Sequence, residues 1–222
     1  MIAKNKDMAF LDTAAALAHE IKNPITLVKA NIDLLELRDN YSGNVKNYEI
    51  MKRELNKVSS IMMNFITLLK HESSQKEAVY INDVIKDVLS DYQETFGNRI
   101  NFTFSAEGEA SKVVYANLKD LAILFENLIK NSVEAIEGVG DICVNVCESD
   151  KQIVIIFADT GNGVPKEVEE RLFEDFFTTK SSGSGLGLSI CKKIVEETGG
   201  NIDIKNNEDV GVTTTVTFPI HS

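Results

Sequence analysis

His19, Glu20 and Asn23 fall in a stretch whose apolar residues recur with helical spacing. At about 100° per residue, His19 and Asn23 share nearly one face, roughly opposite the apolar stripe. The imidazole is therefore expected to meet solvent. An exposed imidazole beside a carboxylate keeps a lone pair available near neutral pH, because the carboxylate can orient the ring, hold its tautomer and receive its proton. That is a nucleophile with its base. Pro24 follows one turn after His19, where it removes a backbone donor and should loosen or kink the helix.

A second group points to phosphate and base recognition. Asn127 and Asn131 are four apart on a helix that Asn117 can cap, so their amides line one face while Leu121, Leu124 and Leu128 supply the other. A carboxamide oxygen can ligate Mg²⁺ without adding negative charge, and Mg²⁺ usually shares its shell with phosphates and water. Asp159-Thr160-Gly161-Asn162-Gly163 directly follows the apolar run 153–158. A strand end thus delivers a carboxylate to a glycine-bent loop, where it can accept from an exocyclic amine such as that of adenine. Gly183-Ser184-Gly185-Leu186-Gly187 then enters an apolar-periodic helix over about 188–197. Glycine-rich loops at helix N-termini bind phosphate, because free amides and the helix dipole converge there. The spacing is not that of a dinucleotide fingerprint, and the Walker loop and eukaryotic protein-kinase signatures are absent.

The elements that must position these residues fall into two domains, 1–73 and 81–222, joined by a polar, aperiodic linker at 74–80. In the first, Tyr48, Met51, Leu55, Val58, Met62, Phe65 and Leu69 alternate spacings of three and four. Ala14, Ala18, Ile21, Ile25, Val28, Ile32 and Leu35 form a matching stripe before a turn at 39–43. The reading is a helical hairpin. Two helices of about 30 residues, each about 45 Å long, cannot hide both stripes in one pair, so dimerisation into a four-helix bundle is expected. In the second domain, Asn82 is expected to cap a helix through about 95, and Asn117 one through about 137. Strands are expected over 101–104, 142–146, 153–157, 202–205 and 212–218. The fold class is α+β: a helical hairpin followed by an α/β sandwich with a mostly antiparallel sheet.

Ala18-His19-Glu20-Ile21-Lys22-Asn23-Pro24 resembles the phosphoacceptor motif, or H box, of bacterial sensor histidine kinases. The asparagine segment, the aspartate-glycine segment, Phe173-Glu174-Asp175-Phe176-Phe177 and the glycine segment resemble, in order, the N, G1, F and G2 boxes of the kinase ATP-binding domain. That domain has the Bergerat fold shared with gyrase B, MutL and heat-shock chaperones. The likeness implies that 1–73 dimerises and carries the phosphoacceptor, while 81–222 binds ATP and Mg²⁺. By it, His19 is phosphorylated, Glu20 is the base, and Asn23 positions water for dephosphorylation of the partner. Asn127 and Asn131 hold Mg²⁺ and phosphates, Asp159 reads adenine, and Gly161 and Gly163 shape its floor. Gly183, Gly185 and Gly187 follow the phosphates, Lys180 contacts the terminal phosphate, and Thr213 resembles the threonine near adenine in the last glycine box. Two departures stand out: Asp175 occupies the usual proline position of the F box, and Val212 and Thr214 replace the commoner Thr and Phe.

The 222 residues include 23 Lys and Arg against 34 Asp and Glu, a net charge of −11 that repels a nucleic-acid backbone. No apolar run approaches the roughly 18 to 20 residues of a membrane span, and Cys143, Cys147 and Cys191 are an odd number with no second pair or His cluster to complete a zinc site. The expectation is a cytoplasmic segment without membrane contact, whether a minimal kinase or part of a longer, membrane-anchored one. Its expected partners are a second copy and the receiver domain of a response regulator. Two other functions stay open: a weakly catalytic phosphotransfer scaffold, and an ATPase clamp of the same fold.

Overall fold

The computed structural model describes residues 75–107, 112–180 and 185–220, and in the N-terminal region positions 21, 23–32, 48, 50–52, 54, 55, 58 and 62. The chain divides into two compact units, residues 1–69 with 178–186, and residues 70–177 with 187–222. His19, Glu20 and Gly183 lie outside the described residues.

The described N-terminal positions are all helical. Pro24 sits buried inside the helical run 23–32, with Asn23 exposed beside it. Asn31 is buried and donates from Nδ2 to Leu27 O at 2.8 Å, so its amide is satisfied by its own helix. Ile25 and Ile32 are 50% and 43% exposed, and Tyr48, Leu55 and Met62 are 59%, 52% and 50% exposed. Their heptad spacing puts each set in one lengthwise stripe. Met51 is buried.

The second unit runs β1 (Glu77–Tyr80), α1 (Ile81–Phe96), β2 (Ile100–Ala106), β3 (Val113–Ala116), α2 (Leu118–Ala135), β4 (Gly140–Ser149), β5 (Gln152–Asp159), a 3-10 turn (Lys166–Arg171), α3 (Gly187–Glu197), β6 (Asn201–Asn206) and β7 (Val212–Pro219). β1 and β3 form an antiparallel pair; the other strands form one sheet in the order β2-β4-β5-β7-β6. Only β2 and β4 pair in parallel, and the crossover that this demands is supplied by β3 and α2.

Alternation decides the core. Ile142, Val144 and Val146 of β4, Ile153, Ile155 and Phe157 of β5, and Val216 and Phe218 of β7 are buried, while their neighbours along each strand are less so. The three helices close over that face. α2 is central, burying Leu121, Leu124, Phe125, Leu128, Ile129 and Val133, with the Phe125 ring 5.9 Å from that of Phe157. Cys191 of α3 is fully buried against α2, its thiol facing Leu124 O at 3.7 Å, and burial pushes that thiol well above its ordinary range. It is a packing residue, as expected. No helix among the described residues is long and apolar enough to cross a membrane.

Asn117 caps α2 as expected, its Oδ1 accepting from Lys119 N and Asp120 N at 3.0 and 3.2 Å. Asn82 does not cap α1. The helix begins one residue earlier, at Ile81, whose N–H donates to Lys112 O, and Asn82 Oδ1 is buried without a partner. The linker expected at 74–80 also ends sooner, since residues 77–80 form β1. β1 and β3 are four residues each and depend on a partner distant in the chain, which local periodicity does not report.

α2 ends where Arg99, from the α1–β2 turn, donates to Val133 O, Ile136 O and Gly138 O at 3.3, 3.0 and 3.2 Å. A guanidinium thereby satisfies carbonyls that a helix end leaves unpaired. Replacing Arg99 with Met, which keeps the stem and removes the donors, should cost about 2 kcal/mol, read as a lower urea midpoint with an unchanged slope.

Candidate functional site

β5 ends in a buried carboxylate. Asp159 is 7% exposed, and a charge so placed is tolerated only if hydrogen bonds replace its water. Oδ1 accepts from Gly161 N at 2.9 Å and Val212 N at 3.2 Å, and Oδ2 accepts from Ser132 Oγ at 2.8 Å. A carboxylate offers about four acceptor positions. Three are filled, and the one that remains is on Oδ2, suited to a single N–H such as that of an exocyclic amine.

The loop after Asp159 is pressed against α2. A Cβ on Gly161 would stand 2.7 Å from the Ala135 Cβ, so only glycine fits, and Asn162 N donates to Ala135 O at 3.0 Å. Gly163 turns the chain with φ +75°. Gly211, at φ +83°, lies so near the Asp159 carbonyl that a Cβ would overlap the oxygen.

Asn127 and Asn131 stand half-buried one helical turn apart on α2. Asn127 Nδ2 donates to Ile123 O at 2.8 Å, which ties the amide nitrogen back to its own helix. A Cβ on Gly187, the first residue of α3, would lie 2.9 Å from Asn127 Oδ1. A neutral oxygen therefore faces the N-terminus of α3, a place that favours anions. This is the donor type that Mg²⁺ takes when phosphates complete its shell.

Ser132, Asn206 and Asn207 belong to this site although no sequence motif marked them, and Val212, noted only as a departure in the last glycine box, enters through its backbone. Ser132 carried a signal: it interrupts the buried stripe of α2, where a hydroxyl needs a partner. Thr213 is not brought to the carboxylate. It points away from the helix side of β7, and its Oγ1 donates to Asn207 Oδ1 at 2.6 Å, while the contact to Asp159 comes from the Val212 backbone.

Residues 116–222 match the family model of histidine kinase-, DNA gyrase B- and HSP90-like ATPases. Sporulation kinase B of Bacillus subtilis is 29% identical over 99% of this chain and 52% of its own length. The sensor histidine kinase ZraS of Salmonella typhi is 30% identical over 99% of this chain and 48% of its own. The chain spans about half the length of these curated relatives. The catalytic domain of histidine kinase ThkA is 32% identical and superposes with a TM-score of 0.60, covering 65% of this chain and 95% of that one. The chain belongs to the histidine kinases. ThkA in complex with the response regulator protein TrrA aligns over 98% of this chain and 64% of that one, with a TM-score of 0.80 and 28% identity.

Among histidine kinases, the departure at Asp175 now has a geometry. Phe177 N donates to Glu174 O at 3.3 Å and Phe176 has φ +63°, so residues 174–177 form a type II turn with Asp175 at its second position. Proline presets the backbone there, whereas aspartate does not. A bulky residue in the left-handed region is itself costly. Arg171 braces the turn, with Nε 2.9 Å from Glu174 Oε2 and its guanidinium 4.3 Å from the Phe177 ring centroid. Beyond it, Thr178 Oγ1 accepts from Lys180 N at 3.1 Å, and Gly185 takes φ +68°. Asp175→Pro should raise stability by about 0.4–1 kcal/mol, seen as a higher urea midpoint.

Proposed function

We propose that this chain carries out ATP-dependent autophosphorylation on His19 and passes the phosphoryl group to an aspartate on a separate response regulator. The observation that supports it best is the buried Asp159 carboxylate, whose three hydrogen bonds leave one acceptor position for the adenine amine. Gly161 and Gly163 shape the adenine floor; Gly183, Gly185 and Gly187 follow the phosphates; Lys180 meets the terminal one. Thr213 supports the pocket through Asn207. Asn127 and Asn131 would hold Mg²⁺, which would neutralise charge on the phosphates.

In this reading an imidazole nitrogen of His19 attacks the γ-phosphorus, the bond to the β–γ bridging oxygen breaks, and ADP departs. Glu20 receives the proton that the ring gives up. Phosphoryl transfer has a loose transition state, so the protein contributes mainly position and charge. Asn23, exposed on its helix, orients water when the same site dephosphorylates the regulator. The stripes of Ile25 and Ile32 and of Tyr48, Leu55 and Met62 are the surface that a second copy covers in a four-helix bundle. The setting is the cytoplasm.

Incubation with γ-labelled ATP should leave an acid-labile, alkali-stable label, as a phosphoramidate does. His19→Gln should abolish it with nucleotide binding intact, and Asn131→Asp should lose MgATP binding or turnover. Normal labelling of His19→Gln would show that the acceptor lies elsewhere.

A further inference from the structure

Two adjacent carboxamides at the end of β6 hold the loop that leaves Asp159. Asn206 Oδ1 accepts from Val164 N at 2.7 Å, and its Nδ2 donates to Val164 O at 2.8 Å and to Glu169 Oε1 at 2.9 Å. One side chain thus gives Val164 the two-point pairing that a neighbouring strand residue would give. Asn207 Nδ2 donates to Asp159 O at 3.3 Å and to Val210 O at 3.0 Å. Asn207 Oδ1 accepts from Thr213 Oγ1 at 2.6 Å, and its backbone N donates to Gly211 O at 3.0 Å.

These bonds converge on one orientation. Asn207 holds the backbone of Asp159 directly. It also closes the 207–213 turn, and that turn contains Val212, whose N–H aims Asp159 Oδ1. The carboxylate is therefore set from two sides by a residue that does not touch it. Asn206 fixes the far end of the same loop, where a Cβ on Gly163 would stand 2.9 Å from its Oδ1. The near side of the loop is held separately, by Thr160 N to Asp141 O at 3.2 Å and Asn162 N to Ala135 O at 3.0 Å.

We infer that Asn207, supported by Asn206, is a positioning residue for nucleobase specificity: it directs the open lone pair of Asp159 at the 6-amino group of a purine. This rests on the reading of Asp159 as the adenine contact. The consequence is selective. Loss of Asn207 weakens nucleotides that carry the amine and spares those that lack it, whereas a merely structural defect weakens both alike.

The test compares binding of MgATP with that of Mg-purine riboside triphosphate, which lacks the amine, by titration calorimetry on the full chain. Wild type should prefer ATP, and Asp159→Asn should remove that preference. Asn207→Leu, similar in size and without hydrogen bonds, should lose roughly tenfold in ATP affinity and little for the purine riboside. Asn206→Ala should shift the ratio the same way by less, and it serves as the readout if Asn207→Leu does not fold. Equal weakening of both nucleotides, or an unchanged ratio, in the asparagine variants would overturn the inference while Asp159→Asn still upholds the adenine contact. If wild type shows no preference, or Asp159→Asn retains it, the adenine reading fails and the inference falls with it.

Discussion

A carboxylate withdrawn from water must be given hydrogen bonds in return, and at Asp159 they come from three places at once: a helix hydroxyl, the next loop and the last strand. α2, the 160–164 loop and β7 can satisfy one side chain only if their relative placement is held closely. Much of the second unit serves that placement. Arg99 fixes the end of α2, Ala135 presses on Gly161, and Gly211 lets β7 pass the Asp159 carbonyl.

The glycines therefore have a double use. Gly161, Gly187 and Gly211 each lie where a Cβ would strike another part of the protein: Ala135, Asn127 or Asp159 itself. Their place in glycine-rich segments suggests room for a nucleotide. Their surroundings show that the protein packs closely there first.

Charge follows the same economy of means. In a chain of net charge −11, the two residues of α2 that we propose for phosphate and cation are neutral carboxamides, one with its nitrogen tied back to Ile123 O. A carboxylate in that position would add repulsion beside phosphate. The buried carboxylate of the site, Asp159, lies instead at the end of β5, with both oxygens accepting hydrogen bonds.

Local pattern was enough for the long strands, for α2 with its Asn117 cap, for the buried Cys191 and for the order of the asparagine, aspartate and glycine segments, because each depends on residues close together in the chain. It could not report β1 and β3, four residues each and paired across more than thirty positions, nor that Asn82 would be bypassed by a bond from Ile81 to Lys112. Family resemblance likened Thr213 to a threonine near adenine, whereas pleat alternation turns that hydroxyl to Asn207 and leaves Val212 N–H to meet Asp159. Residue types and their order thus come from the sequence alone. Which atoms meet across β5, β6, β7 and α2 was settled only by tertiary packing, since a hydrogen bond between residues forty or fifty apart leaves no periodicity in either segment.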